Sequence, residues 1–284
     1  MLVLIGTVPA DTGLYAGKCR LQENSLYVGD SCLPVERGTA AMAAAAARVC
    51  AFYGQESPVC IFGGDRADGR GTQLIFEHAG AHLEDYAPQV VALHYMFPKV
   101  VFGKPFLDAI GSLRVRPQLI ADAGGMYLFK TIGRAFEFDV FTPDEGELYF
   151  LADEQAAHPL YVRQELLDQG LSRETLVETA YRKRTTARVT VVKGAIDYLY
   201  QDGRKVKEVS SPGIPAMEAV GGTGDTITGM LAAFRYCRIA DGDYKALVLN
   251  RRIGQEIRCT PATQIAEFIK AIPAALEKYE RTTG

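Results

Sequence analysis

Gly221-Gly222-Thr223-Gly224-Asp225-Thr226-Ile227-Thr228-Gly229-Met230 sets three glycines in four positions just ahead of a helical pattern, Thr226–Tyr236. Glycine lets the backbone turn sharply and bring its N–H groups close to a ligand. The helix behind it offers orphan N–H donors and the positive end of its macrodipole, which favour a phosphate or a developing negative charge. Asp225 then falls in the first turn, beside that anion site. A carboxylate there can accept the proton of an attacking hydroxyl while the N–H groups steady a transferred phosphoryl group. The alternative is that Asp225 only complements its own helix, as first-turn acids commonly do. The double glycine, the following Thr226 and Thr228-Gly229, and the late position in the chain favour chemistry. No Gly-Lys-Ser/Thr follows, so this is not a P-loop. A dinucleotide fingerprint would instead follow an early strand.

Outward from this stretch, short apolar runs alternate with longer segments of helical period. Leu2–Ile5, Val59–Phe62, Val90–Tyr95, Leu119–Ala121, Phe138–Phe141 and Val189–Val192 predict strands. Ala40–Tyr53, Gly71–His78, Pro105–Leu113, Leu160–Leu166, Arg173–Tyr181, Thr226–Tyr236 and Pro261–Tyr279 predict helices. The alternation predicts an α/β fold with a mostly parallel sheet covered by helices on both faces. Tyr198-Leu199-Tyr200, the turn Asp202-Gly203 and Val206–Val209 predict a late hairpin. The run Ala40–Ala47 predicts a closely packed helix, with Thr39 as N-cap and Gly54 just past its end. Its start at Gly38-Thr39 either packs in the core or faces a ligand. No linker, repeat or low-complexity tract divides the 284 residues, which read as one domain, 1–284.

Composition narrows the function classes. Hydrophobic residues make up 48% and charged residues 23%, which excludes disordered and collagen-like chains. The formal net charge of −3 argues against nucleic acid as a partner. Cys19, Cys32, Cys50, Cys60, Cys237 and Cys259 show no zinc-site spacing and read as small buried hydrophobes. The apolar start Met1–Ile5 is too short for a signal peptide or a membrane span, so no membrane partner and a cytoplasmic location are expected. His78, His82, His94 and His158 show no triad or metal-ligand pairing and read as surface or satisfied core residues. Ala271–Tyr279 reads as an amphipathic helix covering the sheet. A homo-oligomer is compatible with all of this.

The ordered motifs resemble those of the ribokinase-like superfamily of ATP-dependent small-molecule kinases. Phe62-Gly63-Gly64-Asp65-Arg66-Ala67-Asp68-Gly69 is similar to its early Gly-Asp-x-x-Gly region, followed by a turn at Gly80-Ala81. Thr142-Pro143-Asp144-Glu145-Gly146-Glu147 is similar to its Thr-Pro-Asn-x-x-Glu region, and Val191-Val192-Lys193-Gly194-Ala195 to its strand ending in Lys-Gly. Gly222-Thr223-Gly224-Asp225 matches its Gly-x-Gly-Asp signature. Among branches the resemblance is greatest to the ATP- or ADP-dependent NAD(P)H-hydrate dehydratases. That branch has Thr-Pro-His where this chain has Thr142-Pro143-Asp144, and its early Gly-His-Lys-Gly stretch has no clear counterpart. The epimerase domain often fused ahead of that branch is not expected before Met1.

The resemblance implies a three-layer α/β/α fold and roles for named residues. Asp225 would be the base that activates the acceptor hydroxyl, with Gly222, Thr223 and Gly224 as the anion hole. Glu147 and Asp144 would organise Mg²⁺ and its waters, and Lys193 and Gly194 would lie on the side of the nucleotide, ATP or ADP. Gly38, Gly64 and Asp65 would belong to the acceptor site, with Asp122 and Gly124 at a strand end where open α/β sheets bind ligands. Bland alternatives stand beside these: a surface carboxylate for Glu147, a solvated strand end for Lys193, turn residues for Asp65 and Asp122. The expected activity is ATP-dependent phosphoryl transfer to a hydroxyl of a small molecule, or NAD(P)H-hydrate dehydration. The reading from another class is a non-catalytic nucleotide or metabolite sensor.

Overall fold

The six apolar runs form a parallel sheet because each is buried on both faces, as a central strand covered by helices must be. A computed structural model describes residues 1–11, 13–66 and 68–283. Thr12, Ala67 of the Phe62–Gly69 stretch and Gly284 lie outside the described residues. In chain order the first half comprises β1 (Leu2–Val8), β2 (Leu14–Gln22), β3 (Ser25–Val28), β4 (Ser31–Pro34), α1 (Thr39–Phe52), β5 (Val59–Gly64), α2 (Arg70–Tyr86), β6 (Val90–His94), α3 (Val100–Ser112), β7 (Gln118–Ala121) and α4 (Gly124–Thr131). The second half comprises β8 (Val140–Phe141), α5 (Glu145–Ala152), α6 (Gln164–Asp168), α7 (Arg173–Arg182), β9 (Val189–Val192), β10 (Asp197–Gln201), β11 (Arg204–Val209), α8 (Thr223–Tyr236), α9 (Gly242–Glu256) and α10 (Ile265–Thr283).

The strands run in the order β11-β10-β9-β8-β7-β6-β1-β5-β2-β3-β4. The block from β9 to β5 is parallel, with Leu4 of β1 facing Cys60 on one side and Ala92 on the other. Antiparallel pairs finish both edges: the predicted hairpin β10–β11, and the meander β2–β3–β4. Strand pleating sends alternate residues to opposite faces. Leu2 and Leu4 therefore join α1, α8, α9 and α10, whereas Val3 and Ile5 join α2, α3 and α4. The result is a three-layer α/β/α fold.

Several local expectations are corrected. Thr39 is the first residue of α1 rather than its cap; Gly38 occupies that position and makes no side-chain cap bond. Gly80-Ala81 is not a turn but lies inside α2, where the apolar stripe Ile75, Phe76, Ala79 and Leu83 continues against the sheet. Pro159 starts a separate short turn, so Leu160–Leu166 is not one helix. The C-terminal helix buries Phe268, Ile272 and Leu276, but against α1 and α9 rather than the sheet.

The alanine helix α1 is buried nearly all round, as a helix between a sheet and two other helices must be. Its small side chains let α8 approach so closely that a Cβ on Gly229 would run into the Met42 carbonyl. Backbone cannot yield as a flexible side chain can. Gly229→Ala is therefore expected to destabilise the protein by about 2–3 kcal/mol, read as a lowered urea midpoint at unchanged m-value.

Candidate functional site

Helix α8 opens at Gly222, whose φ of 105° lies in the left-handed region that an L side chain resists. Asp225 sits in the first turn, but no side chain caps this helix. Its carboxylate instead reaches across to other elements. The Gly38 N–H donates to Oδ2 at 2.6 Å, and His94 Nε2 lies 2.9 Å from Oδ1. Gly38 itself has a φ of 66°, and a Cβ there would press on the Tyr95 ring.

His94 ends β6 and is fully buried. Besides Asp225, it lies 3.6 Å from Asp122 Oδ2, and its Nδ1 is 3.4 Å from Thr39 Oγ1. Asp122 follows β7, and both its oxygens accept from Lys193 Nζ at 2.8 Å. The Thr228 hydroxyl of α8 donates to Asp122 Oδ2 at 2.6 Å, and the Ala123 N–H to Oδ1 at 2.8 Å. Lys193 leaves β9 beside β8, where its N–H bonds the Pro143 carbonyl. Its ammonium lies against Gly224, at the positive end of α8.

These neighbours set the charges. Burial opposes ionisation of Asp122, but Lys193 and His94 hold it well below the usual carboxylate range. Burial likewise opposes the charged Lys193, and Asp122 and Glu147 more than restore it, leaving the ammonium above its ordinary value. Burial pulls the His94 imidazole down, yet Asp225 and Asp122 together push it to about 9. Asp225 is held below its ordinary value, because facing His94 outweighs burial. Although single atoms of His94, Asp122 and Asp225 lie within 4.8 Å of one another, Lys193 and imidazolium already balance the two carboxylates. The cluster is self-neutralised.

Asp122, Lys193 and Asp225 form the floor of a cleft of about 760 Å³ at the C-terminal edge of the parallel strands, with His94 buried behind them. Asp144 and Glu147 stand on the same cleft and form a capping box at the start of α5. Glu147 also accepts from the Tyr127 hydroxyl, and burial raises its carboxyl to about 7 against the pull of Lys193. On the far wall Gly194 donates to Asp197 at 3.0 Å, while Arg251 of α9 pairs with Asp197 at 2.7 Å and bonds the Gly194 and Ala195 carbonyls.

The structure thus brings Gly38, Asp122, Lys193, Gly222, Thr223, Gly224 and Asp225 together, with Asp144, Glu147 and Gly194 along the cleft. Gly64, Asp65 and Gly124 do not line it. The Asp65 carboxylate accepts from the backbone of Asp68, Gly69 and Gly71, tying the loop ahead of α2. Gly124 starts α4 and packs its Cα against the Met96 backbone.

His94 is a satisfied core residue, as expected, but the expectation of no triad-like or metal-ligand pairing is corrected: it stands against both Asp225 and Asp122. Tyr95 beside it was missed as well. It is a non-glycine residue at φ 27°, held there by the Thr7 N–H and hydroxyl, which both donate to its carbonyl at 2.8 and 2.7 Å. Its half-exposed ring stands edge-on to His94 at 4.6 Å and lines the cleft. The available signal was position, since both residues end a predicted strand at the ligand-binding edge of the sheet.

A family model described as NAD(P)H-hydrate dehydratase matches residues 100–272. An uncharacterized protein of Methanocaldococcus jannaschii is 34% identical over 241 residues, which cover 83% of this chain and 98% of that protein. Among solved structures, a ribokinase from Cryptococcus neoformans in complex with ADP superposes with a TM-score of 0.54 at 10% identity, over 98% of each chain. Phosphofructokinase-2 from Escherichia coli, in a tetrameric inhibited form, gives 0.53 at 11%, over 97% of this chain and 99% of that one. Fructokinase from Xylella fastidiosa with bound ATP gives 0.51 at 9%, over 98% and 99%. At such identities these likenesses show the fold.

The Asp122–Lys193 pair can be tested by stability. Lys193→Met strands a carboxylate that is 2% exposed, and should cost about 3–5 kcal/mol in urea unfolding. Adding Asp122→Asn should return part of that loss, because the stranded charge is gone.

Proposed function

The chain belongs to the family described as NAD(P)H-hydrate dehydratase, within the ribokinase-like superfamily, and on that premise we propose that it transfers a phosphoryl group from ATP or ADP to a hydroxyl of a small molecule. One observation carries this reading: Asp225 turns away from its own helix and is held by Gly38 and His94 beside the start of α8. A carboxylate that only complemented a helix dipole would have no reason to be oriented from two other elements.

In the proposed step the acceptor O–H proton passes to Asp225, the acceptor oxygen bonds phosphorus, and the terminal phosphoanhydride bond breaks. The leaving nucleotide carries away the bond's electron pair. Gly222, Thr223 and Gly224 present the helix N-terminus to the charge on the transferred group, with the Lys193 ammonium alongside. Asp144 and Glu147 are two carboxylates on one wall, which suits Mg²⁺, a hard ion that keeps several waters. Both Glu147 oxygens already accept protein hydrogen bonds, so its role toward the ion would run through water. When bound, the ion would neutralise phosphate charge. Lys193 and Gly194 would face the nucleotide.

A second reading is favoured by the family match itself: the phosphorylated acceptor is a hydrated nicotinamide that then loses phosphate, giving NAD(P)H. The match begins at residue 100, so it covers the Asp144–Arg251 wall and Asp225. Gly38, His94 and Tyr95 precede it. The reaction class therefore has stronger support than the acceptor.

Asp225→Asn should lower kcat by about 10²–10⁴-fold while leaving nucleotide affinity unchanged by titration calorimetry. Full activity in that variant would refute the base assignment. Recovery of reduced-nicotinamide absorbance from the hydrate, dependent on ATP or ADP, would identify the dehydratase; transfer only to other alcohols would identify a kinase. Tight nucleotide binding with no transfer to any acceptor would favour the sensor.

A further inference from the structure

His94 offers the reaction no surface of its own. It is fully buried and does not line the cleft, whereas its neighbours Asp225, Asp122 and Tyr95 do. What it does offer is a cation in contact with the proposed base. A carboxylate has two oxygens, and a base that rotates freely presents the wrong one much of the time. Here Oδ2 is fixed by the Gly38 N–H ahead of α1 and Oδ1 by His94 Nε2 at the end of β6. The ring is fixed in turn, by Thr39 Oγ1 at Nδ1, by the Tyr95 ring edge and by Asp122 Oδ2.

We propose that His94 is a positioning residue of the transfer reaction, holding Asp225 ionised and aimed, and joining it through Asp122 to Lys193 at the anion site. The inference rests on the phosphoryl-transfer reading. The groups that face the imidazole are Asp225 from α8, Asp122 after β7, the Thr39 hydroxyl of α1 and adjacent Tyr95, with Lys193 one contact further through Asp122. The neighbouring strand β1 contributes Gly6, which carries no charge. Two carboxylates against one imidazole keep it protonated well above its ordinary range, at about 9. The imidazolium in return keeps Asp225 ionised despite burial. His94 holds its own protons throughout; the substrate's proton goes to Asp225.

Removing the charge has a signature that a packing role does not. Without the imidazolium, burial and Asp122 act on Asp225 unopposed from that side, and its pKa must rise. In His94→Gln, a neutral donor keeps the aim but not the charge. The acid limb of kcat/KM should move up by about one pH unit or more, with kcat partly kept and the KM for nucleotide unchanged. In His94→Phe, which loses both, kcat should fall by about a hundredfold with the same shift of the acid limb. Melting curves establish that each variant is folded; if the Phe variant is not, the Gln variant carries the test.

An unshifted acid limb in His94→Gln would overturn the proposal. A readout independent of turnover separates it from the functional reading. Labelled-histidine NMR should find the His94 imidazole titrating far above the ordinary value of about 6.5, and falling in Asp225→Asn. Were the wild type inactive on every acceptor, the transfer reading would fail. An imidazole titrating in the ordinary range would sink the role of His94 whatever the turnover.

Discussion

Two carboxylates, Asp122 and Asp225, are buried together at the floor of the cleft, 2% and 16% exposed. A buried charge without a partner costs several kcal/mol, so neither can stay ionised alone. Lys193 answers the first and His94 the second, and each cation also feels the other carboxylate. These four side chains come from β6, α8 and the ends of β7 and β9. The sheet order sets β6 beside β7, with β8 between β7 and β9, so the cluster exists only when the parallel block is complete. The placement of Asp225, the charge of Lys193 at the helix N-terminus and the shape of the floor all depend on that balance.

The parallel core was legible because its strands obey simple physics. Six apolar runs bounded by helical periods each mark one of β1, β5, β6, β7, β8 and β9, although Tyr95 falls just past β6 and Phe138 and Asp139 precede the two-residue β8. The meander Leu14–Pro34 was not legible. β2 is nine residues long but mostly exposed or half-exposed, without a regular alternation, and β3 and β4 have only four residues each, too few for a pattern to stand out. Helix α9 escaped for a different reason: it carries charged residues such as Arg251 and Lys245 that look solvated in sequence but are buried in ion pairs.

At the site, local sequence could announce Gly222–Asp225, because glycine freedom and a helix start are local properties. It could not announce His94, whose meaning comes from a partner 131 positions away. Nor could it separate the Asp65 carboxylate, spent on backbone N–H groups, from that of Asp122, spent on Lys193. Both are acids at strand ends, and only the fold decides what faces them. Gly38 and the adjacent pair His94-Tyr95 share this difficulty, since they come from two segments ahead of the family match.

The close passage of α1 against α8 links the floor of the cleft to the core in another way. Gly38, just ahead of α1, and Asp225, in the first turn of α8, are joined by a hydrogen bond, and the helices behind them meet where Gly229 lies on the Met42 carbonyl. The main chain at the start of α1 thus meets α8 twice, once through the Asp225 carboxylate and once at Gly229, which fixes their mutual register. A defect in the packing of these two helices is thereby also a defect at the floor of the cleft.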